Sequence, residues 1–264
     1  MANVPKKVAD RLTQVVPRFQ RVIKVALDRD VNEADTVLII QDIVAEVFGF
    51  DKYVEITSEF AIRGTYCDLA IKVEDKVQYL IEVKAIGLSL KDAHLKQVID
   101  YGANRGVPWV ILTNGVHWQL HRIKFERPIG HELVASFEFL ELNARNSEDK
   151  ELLYLLTKEG LSKSVRDTYY DRVQSVNRFV LGAILTSPVI LRILRREVKK
   201  LSGGIKVEQS EVEKILREEV LKRQVLEGEE AEKATAKVKK SSKKTSHKSI
   251  KHGTASTPTE PSGA

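Results

Sequence analysis

Two apolar segments of this chain carry charges where a buried strand would not tolerate them without compensation. Asp68 lies inside Tyr66–Val73, and fourteen residues further on Glu82-Val83-Lys84 closes Val77–Ala85. Strands alternate their faces with period two, so Glu82 and Lys84 share a face with Leu80, and Asp68 shares one with Tyr66 and Ala70. If the two strands are neighbours, two carboxylates and an ammonium surround one small volume. A hard divalent cation takes oxygen ligands, and beside an attacking water this set suits phosphodiester hydrolysis. Glu-x-Lys alone has an ordinary explanation, an exposed cross-strand ion pair. Here both strands are otherwise apolar except at Lys72 and Gln78, toward the Glu74-Asp75-Lys76 turn, and burying a charge costs several kcal/mol unless something offsets it.

The elements that must position these residues can be read from periodicity. Val8, Leu12, Val15, Val16, Phe19, Val22, Ile23 and Leu27 predict a helix over 4–29, broken or kinked near Val16 by Pro17. Asn32 is a suitable N-cap for a second helix that runs through Val37, Ile40, Val44 and Val47 to Gly49. Three strands follow, Val54–Phe60, Tyr66–Val73 and Val77–Ala85, joined at Arg63-Gly64 and Glu74-Asp75-Lys76. Next come a helix from Leu90 to Asn104, strands Trp109–Thr113 and His117–Ile123 across an Asn114-Gly115 turn, and a strand Ala135–Leu142. The order predicts an α/β fold with a mixed central sheet flanked by helices, and the meander makes Asp68 and Glu82 neighbours. Three domains are expected: an α/β domain over 1–145, a helical extension over 146–227, and a disordered Lys-rich tail over 228–264.

Composition narrows the function classes. Residues 233–252 hold eight lysines and no acid, so with a net charge of +6 overall the rest of the chain sums to −2. The basic character therefore belongs to the tail, which reads as a salt-dependent, nonspecific polyanion contact. One cysteine, Cys67, cannot make an intramolecular disulfide, which suits a reducing cytoplasm. No secretory leader is read at residues 1–30. The longest apolar stretch, Phe179–Leu191, is too short to span a bilayer and reads as buried helix, so no membrane partner is expected. His117 and His121 share a strand face but lie about 13 Å apart, too far to chelate one ion. Trp109 and Trp118 read as core.

A family resemblance is carried by an ordered set of these residues. It comprises Asn32-Glu33-Ala34-Asp35-Thr36, Phe48-Gly49-Phe50, Arg63-Gly64 before Asp68-Leu69-Ala70, and Ile81-Glu82-Val83-Lys84. Gln97 with Tyr101 and Leu112-Thr113-Asn114-Gly115 leading to Trp118 complete it. Over roughly residues 30–125 the chain resembles the PD-(D/E)xK nuclease superfamily, most closely the N-terminal nuclease domain of type I restriction endonuclease R subunits. Cys67 stands where the superfamily's proline would be, and the chain contains no G-x-x-x-x-G-K-[ST], so no translocating motor is expected within it.

The resemblance implies a restriction-endonuclease-like fold in which Asp68, Glu82, the Val83 carbonyl and Glu33 hold Mg²⁺, with Mn²⁺ as a substitute. Lys84 would activate the attacking water or stabilise charge at the scissile phosphate. Gln97 would be a further catalytic residue holding substrate or metal-bound water, Tyr101, one turn away on the same helical face, would contact substrate, and Arg63 would touch phosphate. Glu59, at a strand end, is a weaker substitute for Glu33. The expected function is Mg²⁺-dependent DNA cleavage in defence or DNA processing, by an endonuclease before an exonuclease, in the cytoplasm. A homodimer or separate motor and specificity subunits are the expected protein partners. The alternative is a catalytically inactive nuclease-fold module that binds nucleic acid or recruits a partner.

Overall fold

The computed structural model describes residues 3–250, and the chain divides into two compact units after Asp171. The first unit opens with α1 (Lys6–Asp28) and α2 (Glu33–Glu46). β1 (Ile56–Ile62), β2 (Thr65–Val73) and β3 (Lys76–Val83) follow, then α3 (Asp92–Arg105), β4 (Trp109–Thr113), β5 (His117–Lys124) and β6 (Gly130–Glu138). Three short helices, α4 (Ser147–Tyr154), α5 (Lys158–Ser162) and α6 (Val165–Ser175), come next, and the unit boundary falls inside α6. The six strands lie in sequence order in one sheet. Only β3 and β4 are parallel, with α3 as their crossover; every other pair is antiparallel. The mixed α/β architecture expected from the element order is therefore the one observed.

Local chemistry explains the meander. Arg63 and Gly64 have φ of 46° and 86°, and Glu74 and Asp75 have φ of 50° and 60°. Paired positive φ values are what a two-residue type I′ hairpin turn requires. The sheet buries both faces. Leu69, Ile71, Tyr79, Ile81, Val83, Trp109, Ile111, Trp118 and Leu120 meet α1 and α2 on one side. Ala70, Leu80, Val110, Leu112 and Ile123 meet Val98 and Ile99 of α3 on the other. Gly102 lets α3 approach closely, since a Cβ there would lie 2.4 Å from Ile123 Cδ1 and 2.8 Å from Val110 Cγ1. Both tryptophans are core residues, 1% exposed.

Several expectations need correction. α1 runs unbroken through Pro17. A proline costs a helix interior about 3 kcal/mol, but burying large apolar side chains returns about 1.5–3 kcal/mol each, and Leu12, Val16, Phe19 and Ile23 are all buried around it. The strand expected over Ala135–Leu142 begins earlier, at Gly130, and ends at Glu138 in a 3₁₀ turn, Phe139–Glu141. The α/β domain extends past residue 145 to Asp171, because Leu153, Tyr154, Leu155 and Leu156 fill the core on the α1/α2 side of the sheet. Tyr79 also donates its hydroxyl to the Leu155 carbonyl at 3.0 Å.

The second unit is helical: α7 (Arg178–Leu185), α8 (Pro188–Leu201), α9 (Gln209–Ile215) with a π turn at Leu216–Val220, α10 (Arg223–Leu226) and α11 (Glu229–Ile250). The apolar stretch Phe179–Leu191 is two helices rather than one, since Pro188 lacks an N–H and starts α8. It is also less buried than expected: Leu181 is 50% exposed. The expected disordered tail is helical over Glu229–Ile250. Its Ala, Lys and Glu residues are good helix formers, Lys233 pairs with Glu229 at i, i+4, and Ala234 joins Val180 and Ala183 of α7 in a small core. Residues 251–264 of that tail lie outside the described residues.

Candidate active site

The β2–β3 register pairs Leu69 with Ile81, which brings Asp68 and Glu82 to the next opposed positions. There the regular ladder gives way to a side chain: Val83 N–H donates to Asp68 Oδ2 at 2.7 Å. One residue on, Lys84 N–H donates to the Thr113 carbonyl of β4 at 2.8 Å. The Glu82–Lys84 segment is thus tied to strands on both sides.

Glu82 is 1% exposed and Lys84 9% exposed, so the pair is not a solvent-facing ion pair. Lys84 Nζ donates to Glu82 Oε1 at 2.7 Å and lies 3.6 Å from Glu33 Oε1, at the first residue of α2. Asn32 caps that helix, its side chain accepting from Asp35 N–H at 2.9 Å, and so fixes where Glu33 begins. Glu82 Oε2 is buried and has no hydrogen-bond partner among the described residues.

The electrostatics follow from this arrangement. Burial, with the Asp68 charge second, raises the Glu82 carboxyl to about 7 against the partial relief given by Lys84. Burial also raises Asp68, although the Val83 N–H and Lys84 work in the opposite direction. For Lys84 the largest influence, burial, is downward, but the bond to Glu82 and the charges of Glu82, Glu33 and Asp68 outweigh it, leaving the ammonium raised. Three carboxylates thus share one cation, and the uncompensated charge is concentrated on a pair of hard oxygen donors. An orphaned, buried Glu82 oxygen facing further negative charge fits a divalent cation. Asp68 and Glu82 would hold it. Glu33 meets the cluster through Lys84 instead, whose ammonium bridges to both acids. Among the described residues, no group of three or more His, Cys, Asp or Glu is arranged to hold a metal ion.

The other sequence candidates are positioned less directly. Gln97 and Tyr101 do project together from α3, but their hydrogen bond, Gln97 Nε2 to the Tyr101 hydroxyl at 3.0 Å, is with each other. Arg63 is exposed at the β1–β2 turn and donates to Asn104 Oδ1 at 3.1 Å. Glu59 is exposed with φ of 48°. Among the described residues, neither makes a hydrogen bond or ion pair with Asp68, Glu82 or Lys84.

Two arrangements were not anticipated. Asn114, 3% exposed, donates to the Ile86 carbonyl (3.3 Å) and the Leu88 carbonyl (2.9 Å), holding the chain that leaves Lys84. Its Oδ1 accepts from Val116 and His117 N–H, so the turn signal Asn114-Gly115 had a second use that its sequence did not reveal. A register shift between Leu120 and His121 breaks the strand alternation, so that both are buried and His121 sits 5.6 Å from the His131 ring.

Residues 48–135 match the family described as the type I restriction enzyme R protein N terminus. The match takes in Asp68, Glu82, Lys84, Gln97 and Tyr101, and the resemblance carried by those residues holds over this range. It begins after α2, leaving Glu33 outside. Comparisons with curated proteins and with solved structures each found no match. No helix among the described residues is long and apolar enough to cross a membrane.

Proposed function

We propose that this chain hydrolyses DNA phosphodiester bonds with Mg²⁺, as a restriction-type nuclease. The observation that carries the reading is the buried Glu82–Lys84 pair with its free carboxylate oxygen, lying across the β2–β3 ladder from Asp68 within a segment that matches a restriction-enzyme family. Asp68 and Glu82, with the Val83 carbonyl, are the residues that would hold Mg²⁺ or its substitute Mn²⁺. When bound, the ion supplies Lewis acidity toward the scissile phosphate and toward an attacking water. Its positive charge would also relieve the raised Glu82 and Asp68, both of which must be ionised to act as ligands.

Lys84 remains charged through neutral pH, because its raised pKa keeps the proton on. Held at 2.7 Å by Glu82, its ammonium can orient a water or donate to a phosphate oxygen as negative charge develops there. Water attack forms one P–O bond and breaks the other, the leaving oxygen taking up a proton. Glu33 keeps Lys84 at the mouth of the cluster, while Gln97, Tyr101 and Arg63 are assigned to the substrate. Endonucleolytic cleavage is favoured over exonucleolytic. A double-strand break needs two such sites, from a homodimer or from a complex with separate motor or specificity subunits.

Nicking of supercoiled plasmid in Mg²⁺ tests the assignment: cleavage by the wild type should vanish in Asp68→Ala. Equal nicking by both proteins would reject these residues. One observation favours a second reading, an inactive nuclease-fold module that binds nucleic acid or a partner: the described acids do not form a three-ligand metal group. Calorimetric titration with Mg²⁺ separates the two, since binding lost in Asp68→Ala supports the nuclease and no binding supports the module.

A further inference from the structure

Charge is distributed unevenly between the two units. Residues 172–264 contain 20 Lys and Arg against 11 acids, a formal +9, whereas residues 1–171 contain 23 against 26, a formal −3. The unit holding the acidic cluster thus has little net attraction for a polyanion, and the other unit has much.

Within the basic unit, α8 gathers Arg192, Arg195, Arg196 and Lys199 on one stripe, spaced i, i+3, i+4, i+7 and all exposed. Among the described residues no carboxylate pairs with Arg192, Arg195 or Lys199; Arg196 bonds Glu197 at 3.1 Å, and Arg192 Nε donates only to the Pro188 carbonyl. Lysines in the last turn are favoured by the helix dipole, which accounts for Lys199 and Lys200 but not for Arg192 in the second turn. Like charges at i, i+3 and i, i+4 destabilise a helix, so this stripe repels itself, and among the described residues only Glu197, beside Arg196, relieves it.

We infer that the Arg192–Arg195–Arg196–Lys199 face of α8 is a docking surface for the phosphate backbone of duplex DNA. The stripe is about 10 Å long at 1.5 Å per residue, close to the axial rise of three base pairs. Guanidinium forks suit phosphate oxygens, and three of the four residues are arginine. An anionic membrane is the competing polyanion, but an inserting helix needs a continuous apolar face. On α8 the apolar face is Ile190, Leu191, Leu194, Val198 and Leu201, and its first half is already covered within the protein: Leu191 is buried and Ile190 and Leu194 are half-buried, which leaves only Val198 and Leu201 open at its end. Such contacts position a duplex without reading its sequence. The choice of DNA rests on the proposed nuclease reading, and the test is arranged so that the two fail separately.

The experiment measures binding of the full chain to a short fluorescent duplex in EDTA, where no cleavage occurs, over a salt series. R192Q/R195Q/R196Q/K199Q should weaken binding by at least about tenfold, and the log–log salt slope should fall by about three to four. The charge-preserving R192K/R195K/R196K variant should keep the slope, as should an equal neutralisation on α1, K6Q/K7Q/R21Q/K24Q. The nuclease reading is judged separately, by the Mg²⁺ nicking assay, which this EDTA series does not depend on. The proposal is overturned if the wild type does not bind the duplex, or if the α8 variant keeps its affinity and slope. It fails equally if the Lys variant loses the slope, or if the α1 control loses as much. A further contrary result is α8-dependent binding to phosphatidylserine vesicles with duplex binding unaffected.

Discussion

Glu82 and Arg166 are both buried ionisable groups of the first unit, 1% and 5% exposed, and each keeps one polar atom without a partner among the described residues. Their surroundings differ in sign. The Arg166 guanidinium lies over the rings of Tyr79 (4.7 Å) and Trp109 (4.5 Å), donates to the Gln78 carbonyl at 3.2 Å and approaches Asp167. Asp167 in turn accepts from Arg122 at 2.9 Å and from the Trp109 indole at 3.3 Å. Aromatic faces and an acid thus answer a cation, which fastens α6 to the sheet. Glu82 is answered by one ammonium and opposed by Asp68 and Glu33. A buried charge surrounded by its complement stabilises a fold, whereas one surrounded by its own kind stores a demand for an outside cation.

That contrast can be broken at several points, the largest effect first. Lys84→Ala should lower Mg²⁺-dependent nicking by about 10²–10³-fold per folded molecule, beyond any fall in urea midpoint from leaving Glu82 unpaired; undiminished nicking would remove Lys84 from the chemistry. Arg166→Ala should do the reverse, costing about 2–4 kcal/mol in urea unfolding while purified protein keeps its specific activity. A midpoint unchanged by that substitution would mean the stacked guanidinium contributes nothing.

Glu82→Gln sharpens the comparison through pH. The folded carboxyl titrates near 7, above its unfolded value of 4.5, so its contribution is intact below pH 4.5 and is lost as pH rises through 7. Without divalent cation, the variant should therefore gain on the wild type across that window, by up to about 3 kcal/mol at pH 8. A pH-independent difference in unfolding free energy contradicts the raised carboxyl. The smallest effect is expected from Tyr170→Phe, which keeps the ring 4.6 Å from Arg122 but deletes the 2.7 Å hydroxyl bond to Glu132. It should cost about 1 kcal/mol; a loss several times larger would show that the clamp depends on that bond more than on stacking.

The site was more legible than its supports. Asp68, Glu82 and Lys84 stand out because they interrupt the most apolar stretches of their strands, away from Lys72 and Gln78 at the turn, and two-residue turns then force the strands together. Arg166 gave no such signal: it lies beyond the expected domain boundary, in a polar helix, and its aromatic partners are 87 and 57 residues away in sequence. The extent of the first unit carries no local signal for the same reason, since α4–α6 complete the core only through long-range contacts. Asn114 was read as a turn residue, which it is, but its amide also holds Ile86 and Leu88.

Period-two alternation, paired turn residues and an N-cap at Asn32 are local properties, and these determined the element order, the mixed sheet and the face that Glu82 and Lys84 share. Whether Lys84 answers Glu82 alone or also Glu33, how far Glu82 is raised, and where the first unit ends were decided by tertiary structure. Burial and through-space charge depend on which distant residues converge, and no local pattern encodes that distance.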